Sequence, residues 1–442
     1  MALLIFSWPM RWWVAVFPID EILRKGEGIA DEVEVYITEG QSVSGDLKRT
    51  KVSRAVESRY FGLSVRTIKD GRIGNSSSSN PGDWEKCLDA SVASGRLATP
   101  LPWKGLPDPA PIDDRPVAYD PSLTPDNNVL VDLLKGMIDG ASSHPVEVTS
   151  GGAAISVQTL TLANSHGVYY SRPHSHLSAS IETIRGNSTG YEFGNSHTHD
   201  LDPVSIGERA GFLAAASFGG TDIPSGPYDV VLSPVAFSQL LGAVLIPSLS
   251  GRNVHAGRSK LAHSMGMQVI DQALSIIDDP FLENGLSGTR WDAEGVPTRR
   301  ISYISHGVLE SFSYDLKTAY RYGQESTGSA VRTGQGGAPA IGTHNIVLEG
   351  PREDIMDEEA VYVQDVVGAH TANPLSGDFS VELTNPFRIS GGEYGTPVRK
   401  AMMSGNVFEM LGNAAGLGKD DRVIGSFVVP SIRLNKQHII GV

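Results

Sequence analysis

The sequence predicts an α+β protein: an N-terminal mixed α/β domain followed by a β-rich C-terminal domain with a buried central helix. Three observations carry this. The 442 residues include 49 glycines and 26 prolines, which punctuate the chain with turns. Strand-like alternation outnumbers helical periodicity. The order of the two is irregular, without a fixed-period repeat, which disfavours a doubly wound parallel sheet. Apolar residues make up 40% of the chain, ample for a core.

In order along the chain, residues 1–18 (MALLIFSWPMRWWVAVFP) read as an atypical N-terminal extension. They lack a basic leading region and a small-residue cleavage site, so they do not read as a secretory signal. Pro9 and Arg11 break them, and they are too short to span a bilayer. Two readings stay open: a tryptophan-rich interfacial anchor, or a true start at Met10 or later. An N-terminal domain is expected over 19–220. It begins with a short amphipathic helix from Ile19, a glycine break, and a strand at Glu32–Thr38. Alternating segments follow, with Lys69–Gly71 as a hairpin turn. DWEKCLDASVASGRLA reads as a helix, LPWKGLPDPAPIDDRP as a surface connection, and NNVLVDLLKGMIDGASS as a second helix. Three strands end in TGYEFGNSHTH, and DPVSIGERAGFLAAASFGG is a closing helix. TDIPSGP (221–227) opens the C-terminal domain, 221–442, mostly strands and turns.

The net charge is -14 and no Lys/Arg cluster stands out, which argues against nucleic acid as the main partner. The single cysteine, Cys87, rules out an intrachain disulfide and a cysteine metal cage, and points to a reducing, cytoplasmic setting. In its helical context it reads as a small buried hydrophobe.

Between Asp229 and Arg252 there is no charged residue. Pro234 and Pro247 limit the helix inside this run to roughly 13 residues, below the roughly 20 that cross a membrane. No membrane partner is expected. Val230–Leu232 lead in as a strand, Ser233 caps, and Pro234 suits the first turn. Val235, Phe237, Leu240, Leu241, Val244 and Leu245 cover most of the circumference, so the helix is expected to be buried.

VEVYITEGQSV, VRTIKDGRIG, WDAEGVPTRR, the STG at 326–328, NPLSGDFS and SGNVFEMLGNAAGLGKDDRVIGSFVVPSI, in this order, resemble the TldD/PmbA family (peptidase U62, "modulator of DNA gyrase"). The resemblance runs from about Ile19 to the C-terminus. In the TldD branch the corresponding helix carries the HExxxH metal motif of a metalloprotease. Its six positions fall here on Ser238, Gln239, Leu240, Leu241, Gly242 and Ala243. Zinc needs imidazole or carboxylate ligands and a base for its bound water, so at these positions the motif is degenerate. The TldD-type C-terminal cysteine is absent too. The resemblance therefore implies the PmbA/TldE-like branch: a non-catalytic subunit, without a cofactor of its own, that pairs with an HExxxH paralogue holding zinc and degrades or trims extended peptides. A stand-alone peptide-binding or scaffold homodimer is the alternative. In HExxxH the histidines stand about 140° apart on an ideal helix, so one metal requires a local distortion. Gly242 reads as either a relic of that distortion or a site of close packing.

A second alternative is a metal hydrolase. His174 and His176 alternate on one predicted strand, and His197 and His199 follow the next. Pairing across a turn at 185–190 would draw them together. Solvated histidines at a hairpin end are the plainer reading. His255 and His263 lack acidic partners. GQGGAP (334–339) lacks the context of a phosphate loop. The acidic run 349–359 reads as a solvated helix start, and Asp292 and Glu294 as parts of a turn rather than a paired acid and base.

Overall fold

Two long antiparallel strands, β1 (Glu32–Lys48) and β2 (Lys51–Lys69), begin the N-terminal sheet. They follow helix α1 (Ile19–Glu27). The computed structural model describes residues 17–115, 117–334 and 336–441. All but the last two residues of the expected N-terminal extension lie outside that range. Strand β1 does not stop at Thr38 as the sequence suggested. It runs through Gly40, where a side chain would come 2.6 Å from the Tyr60 hydroxyl and 2.7 Å from the Val157 carbonyl. The glycine permits close packing here and does not mark a break.

The turn at Asp70–Gly71, both with positive φ, leads into β3 (Arg72–Ser78) as the dipeptide predicts. Strands β4 (Glu147–Asn164), β5 (Tyr169–Arg185) and β6 (Ser188–Ser196) complete a six-stranded antiparallel sheet of order β3-β2-β1-β4-β5-β6. Helices α2 (Trp84–Gly95), α3 (Asn127–Ala141) and α4 (Pro203–Ala216) stand where periodicity placed them. Asp126 caps α3 and Asp202 caps α4 through backbone N–H groups. Cys87 is buried among Ile22, Val33, Val35 and Leu63, and burial pushes its thiol pKa up.

The C-terminal half closes a barrel. Strand β7 (Gly226–Leu232) pairs with Ala360–Val367 on one side and Ile432–Gly441 on the other. The ring continues through Ala401–Asn406 and Asp378–Ser390 and returns to Ala360–Val367. A second, six-stranded sheet packs onto the same core. This is the α+β arrangement the sequence predicted. The acidic run 349–359 is no helix. Ile355 is buried, and Arg433 draws in the carbonyls of Ile355, Glu358 and Glu359, which a helix would need for its own ladder.

Candidate functional site

The motif helix starts directly from β7. The Ser233 hydroxyl accepts from the N–H groups of Val235 (3.1 Å) and Ala236 (3.2 Å) and donates to the Gln364 carbonyl. Helix α5 (Pro234–Leu240) then widens into a π turn over Leu241–Leu245, where the Ile246 N–H reaches the Leu241 carbonyl, five residues back. Helical geometry resumes over Ile246–Leu249. The helix therefore passes Pro247, which the sequence had taken as its end. Proline disrupts an i to i−4 ladder, but the π turn just before it has already changed that register.

On this helix Ser238 is buried and its hydroxyl donates to the Val235 carbonyl at 2.9 Å. Gln239, expected within a buried helix, is exposed; its Nε2 donates to Asp365 Oδ1 at 2.5 Å. Burial raises the Asp365 pKa, and the Glu192 carboxylate adds to the rise. Gly242 and Ala243 are half-buried, with the Phe427 ring beside Gly242. Leu240 and Leu241 sit in the barrel core.

His174 and His176 line one cavity, and His197 and His199 lie outside its lining. His174 contacts the Leu286 carbonyl through Nε2 at 3.1 Å. Burial, with Arg172 adding, pushes its pKa down to about 4. Burial also lowers the pKa of His176. His197 lies past the end of β6, its carbonyl taking the Ser175 hydroxyl at 2.7 Å. His199 is exposed and contacts the Ser122 carbonyl. Among the described residues no group of three or more His, Cys, Asp or Glu side chains is placed to hold a metal ion. Strands β5 and β6 do pair across the predicted turn, but β6 ends at Ser196, so His197 and His199 leave the sheet before the register could bring them opposite the other pair.

A cavity of about 440 Å³ lies where the face of β1, β4 and β5 meets C-terminal loops. His174 and His176 line it, with Thr38, Arg172, Asp292 and His344. Its floor follows the sheet register: Thr38 pairs with Leu160, and Leu160 with Arg172. Gly425 and Ser426 form part of its wall, and the next residue, Phe427, is the one that touches Gly242. A single hairpin thus separates the motif helix from the cavity.

The family comparisons agree along the chain. Residues 225–441 match the PmbA/TldA metallopeptidase C-terminal domain, 33–95 match domain 1, and 120–218 match the central domain. An uncharacterized Methanocaldococcus jannaschii protein is 32% identical over 420 residues, 94% of this chain and 98% of its own. The chain belongs to the PmbA/TldD family. The PmbA/TldD family is one of metalloproteases. Another relative is the Escherichia coli O157:H7 metalloprotease PmbA, 22% identical over 96% of this chain and 95% of its own. The crystal structure of TldE from Thermococcus kodakarensis superposes with a TM-score of 0.89 at 26% identity, over 96% of this chain and all of that one.

A zinc ion, which the family resemblance implies at this motif, does not fit the residues present here. The Ser238 hydroxyl is occupied by a backbone carbonyl, the Gln239 carboxamide by Asp365, and Ala243 has no donor atom. The sequence reading of the WDAEGVP turn holds: Asp292 accepts from the N–H groups of Glu294, Val296 and Ala330, and Gly295 has positive φ. What that reading missed is burial. Glu294 pairs with Arg66, Arg66 with Glu34, and Glu34 with Arg332, all at 2% exposure or less. Burial raises both the Asp292 and Glu294 carboxyl pKa values. Nothing local signals these pairs, which span up to 298 residues. Arg172 could have been found, because it alternates with His174 and His176 on one strand face.

Proposed function

We propose that this chain is the non-catalytic subunit of a PmbA/TldD-type metalloprotease that degrades or trims extended peptides in the cytoplasm. Its partner is an HExxxH-bearing paralogue that holds the zinc. One observation carries the reading: a π turn over Leu241–Leu245 overlaps the motif positions, while the polar side chains there, Ser238 and Gln239, bond within their own chain. A zinc-bound water needs a base, and the Gln239 amide cannot accept its proton at neutral pH. The kinship with TldE and PmbA over nearly the full length supports the same branch. In this reading the chain helps to wall a shared chamber and grips peptide backbone at strand edges.

Co-expression with an HExxxH paralogue, followed by size-exclusion chromatography and peptide cleavage, tests this. The pair elutes together and cleaves, and either chain alone does not. Cleavage depends on the partner's motif glutamate and is indifferent to Gln239→Ala. Full cleavage by the isolated chain, or zinc held beside Ser238–Ala243, overturns the reading.

A further inference from the structure

We propose that the cavity over β1, β4 and β5 is a carboxylate-binding site in which Arg172 receives the free C-terminus of an extended peptide; this rests on the peptide-binding reading above. Arg172 is a cation without a counter-charge. Among the described residues no Asp or Glu forms an ion pair with it. Its Nε is buried without a partner, and Nη1 makes only a 3.4 Å contact with the Gly288 carbonyl. The Trp291 ring lies 5.6 Å from its guanidinium carbon. A half-buried, weakly bonded guanidinium beside open space invites a carboxylate, which it can hold through two parallel N–H bonds.

Two further unpartnered polar atoms belong to residues of the same wall. Thr38 Oγ1 is buried without a hydrogen bond, on the same cross-strand row as Arg172. His344 is 2% exposed, with Nδ1 3.2 Å from Asp278 and Nε2 unpaired. An ionised carboxylate only accepts, so the tautomer donating Nδ1–H to Asp278 leaves Nε2 as an acceptor. A peptide supplies what each lacks: a terminal carboxylate for Arg172, and backbone N–H and C=O groups for His344 and Thr38. Three orphaned polar groups around one cavity are otherwise costly.

The other charges limit the ligand to one negative charge. Arg332 is taken up by Glu34, Ser64 and the carbonyls of Ala293 and Gly337. His174 stays neutral near pH 7. Asp292 stands in the same wall. Among the described residues of this wall, one unpaired cation beside a buried acid suits a monocarboxylate better than a phosphate or nucleotide. The volume, about 440 Å³, falls within the span of small-ligand sites.

Titration calorimetry on the full chain decides. The probes are acetyl-trialanine as the free acid, its C-terminal amide, and N-acetylalanine. The free acid binds at least tenfold more tightly than the amide, and Arg172→Met abolishes that preference while Arg172→Lys keeps part of it. N-acetylalanine as tight as the tripeptide would support the carboxylate site but assign it to small free acids. Equal binding of acid and amide, no binding of either, or an undiminished preference in Arg172→Met overturns the proposal. The wild-type comparison stands alone should Arg172→Met fail to fold. Cleavage by the pair without this preference would sink the carboxylate site only; the preference without cleavage by the pair would spare it.

Discussion

Arg66 and Glu294, 228 residues apart, form an ion pair with both side chains at 2% exposure or less. Arg66 lies on β2 and Glu294 in a C-terminal turn, so the pair ties the N-terminal sheet to the other half of the molecule. The same guanidinium reaches Glu34 at 2.5 Å, and burial among these charges is costly unless each is matched. Arg66→Met should therefore cost about 3–5 kcal/mol, because it strands the buried Glu294 carboxylate and leaves Glu34 with Arg332 alone. Arg66→Met/Glu294→Leu should cost much less than the sum of the two single changes. Urea melts of the four proteins measure this. Additive losses would mean that the residues do not act as a pair.

Gly242 and Phe427 bear on the motif helix. A methyl group built on Gly242 would meet the phenyl ring at 3.4 Å, ordinary van der Waals contact. The φ of Gly242 is not in the left-handed region. The π turn therefore does not require glycine here. Gly242→Ala should be neutral or stabilising by up to about 1 kcal/mol, the helical preference for alanine. Gly242→Leu should drive into Phe427 and destabilise by about 1–3 kcal/mol. Thermal unfolding distinguishes the two; a large loss in Gly242→Ala would show that the turn depends on glycine.

Restoring one motif residue should not restore hydrolysis. Gln239→Glu places a second carboxylate against Asp365, whose pKa is already raised by burial and by Glu192. The loss should be about 1 kcal/mol near neutral pH. The change raises the Asp365 pKa further. A raised carboxyl stabilises the fold below its unfolded pKa and loses that contribution as pH rises, so the deficit should shrink on acidification. Peptide cleavage by the lone variant should stay absent, since Ser238 and Ala243 still supply no ligand. A deficit independent of pH would contradict the contact with Asp365.

The elements legible in the sequence were those set by local rules. The Lys69–Gly71 turn and the Ser233-Pro234 start each follow from two or three adjacent residues. The strand at Glu32–Thr38 was read too short, because what Gly40 does lies across the sheet, against Tyr60 and Val157. Pro247 misled because a π turn upstream alters the ladder it would break. The histidine hairpin was paired correctly, yet its strand ended too soon for the four rings to meet. The buried charges on Arg66, Glu34, Glu294 and Arg332 and the cavity around Arg172 depend on which loops cover the sheet, and no short-range pattern encodes that.

His174 gives the molecule an acid sensitivity of known sign. Its pKa is pushed from an unfolded value of about 6.5 down to about 4, chiefly by burial and secondly by Arg172. A group with a depressed folded pKa contributes stability that is present above its unfolded value and is lost as pH falls toward the folded one. Between about pH 6.5 and 4 the unfolded chain binds a proton that the folded chain refuses, so stability should fall by about 1–3 kcal/mol. His174→Gln should flatten that part of the profile. Arg172→Met, by removing the neighbouring cation, should shrink the loss without abolishing it, because burial is the larger cause. Urea melts at pH 4.5 and 7.5 on the three proteins test the order. An unchanged slope in His174→Gln would place the acid sensitivity elsewhere, and an unchanged slope in Arg172→Met would mean that the guanidinium does not act on this imidazole.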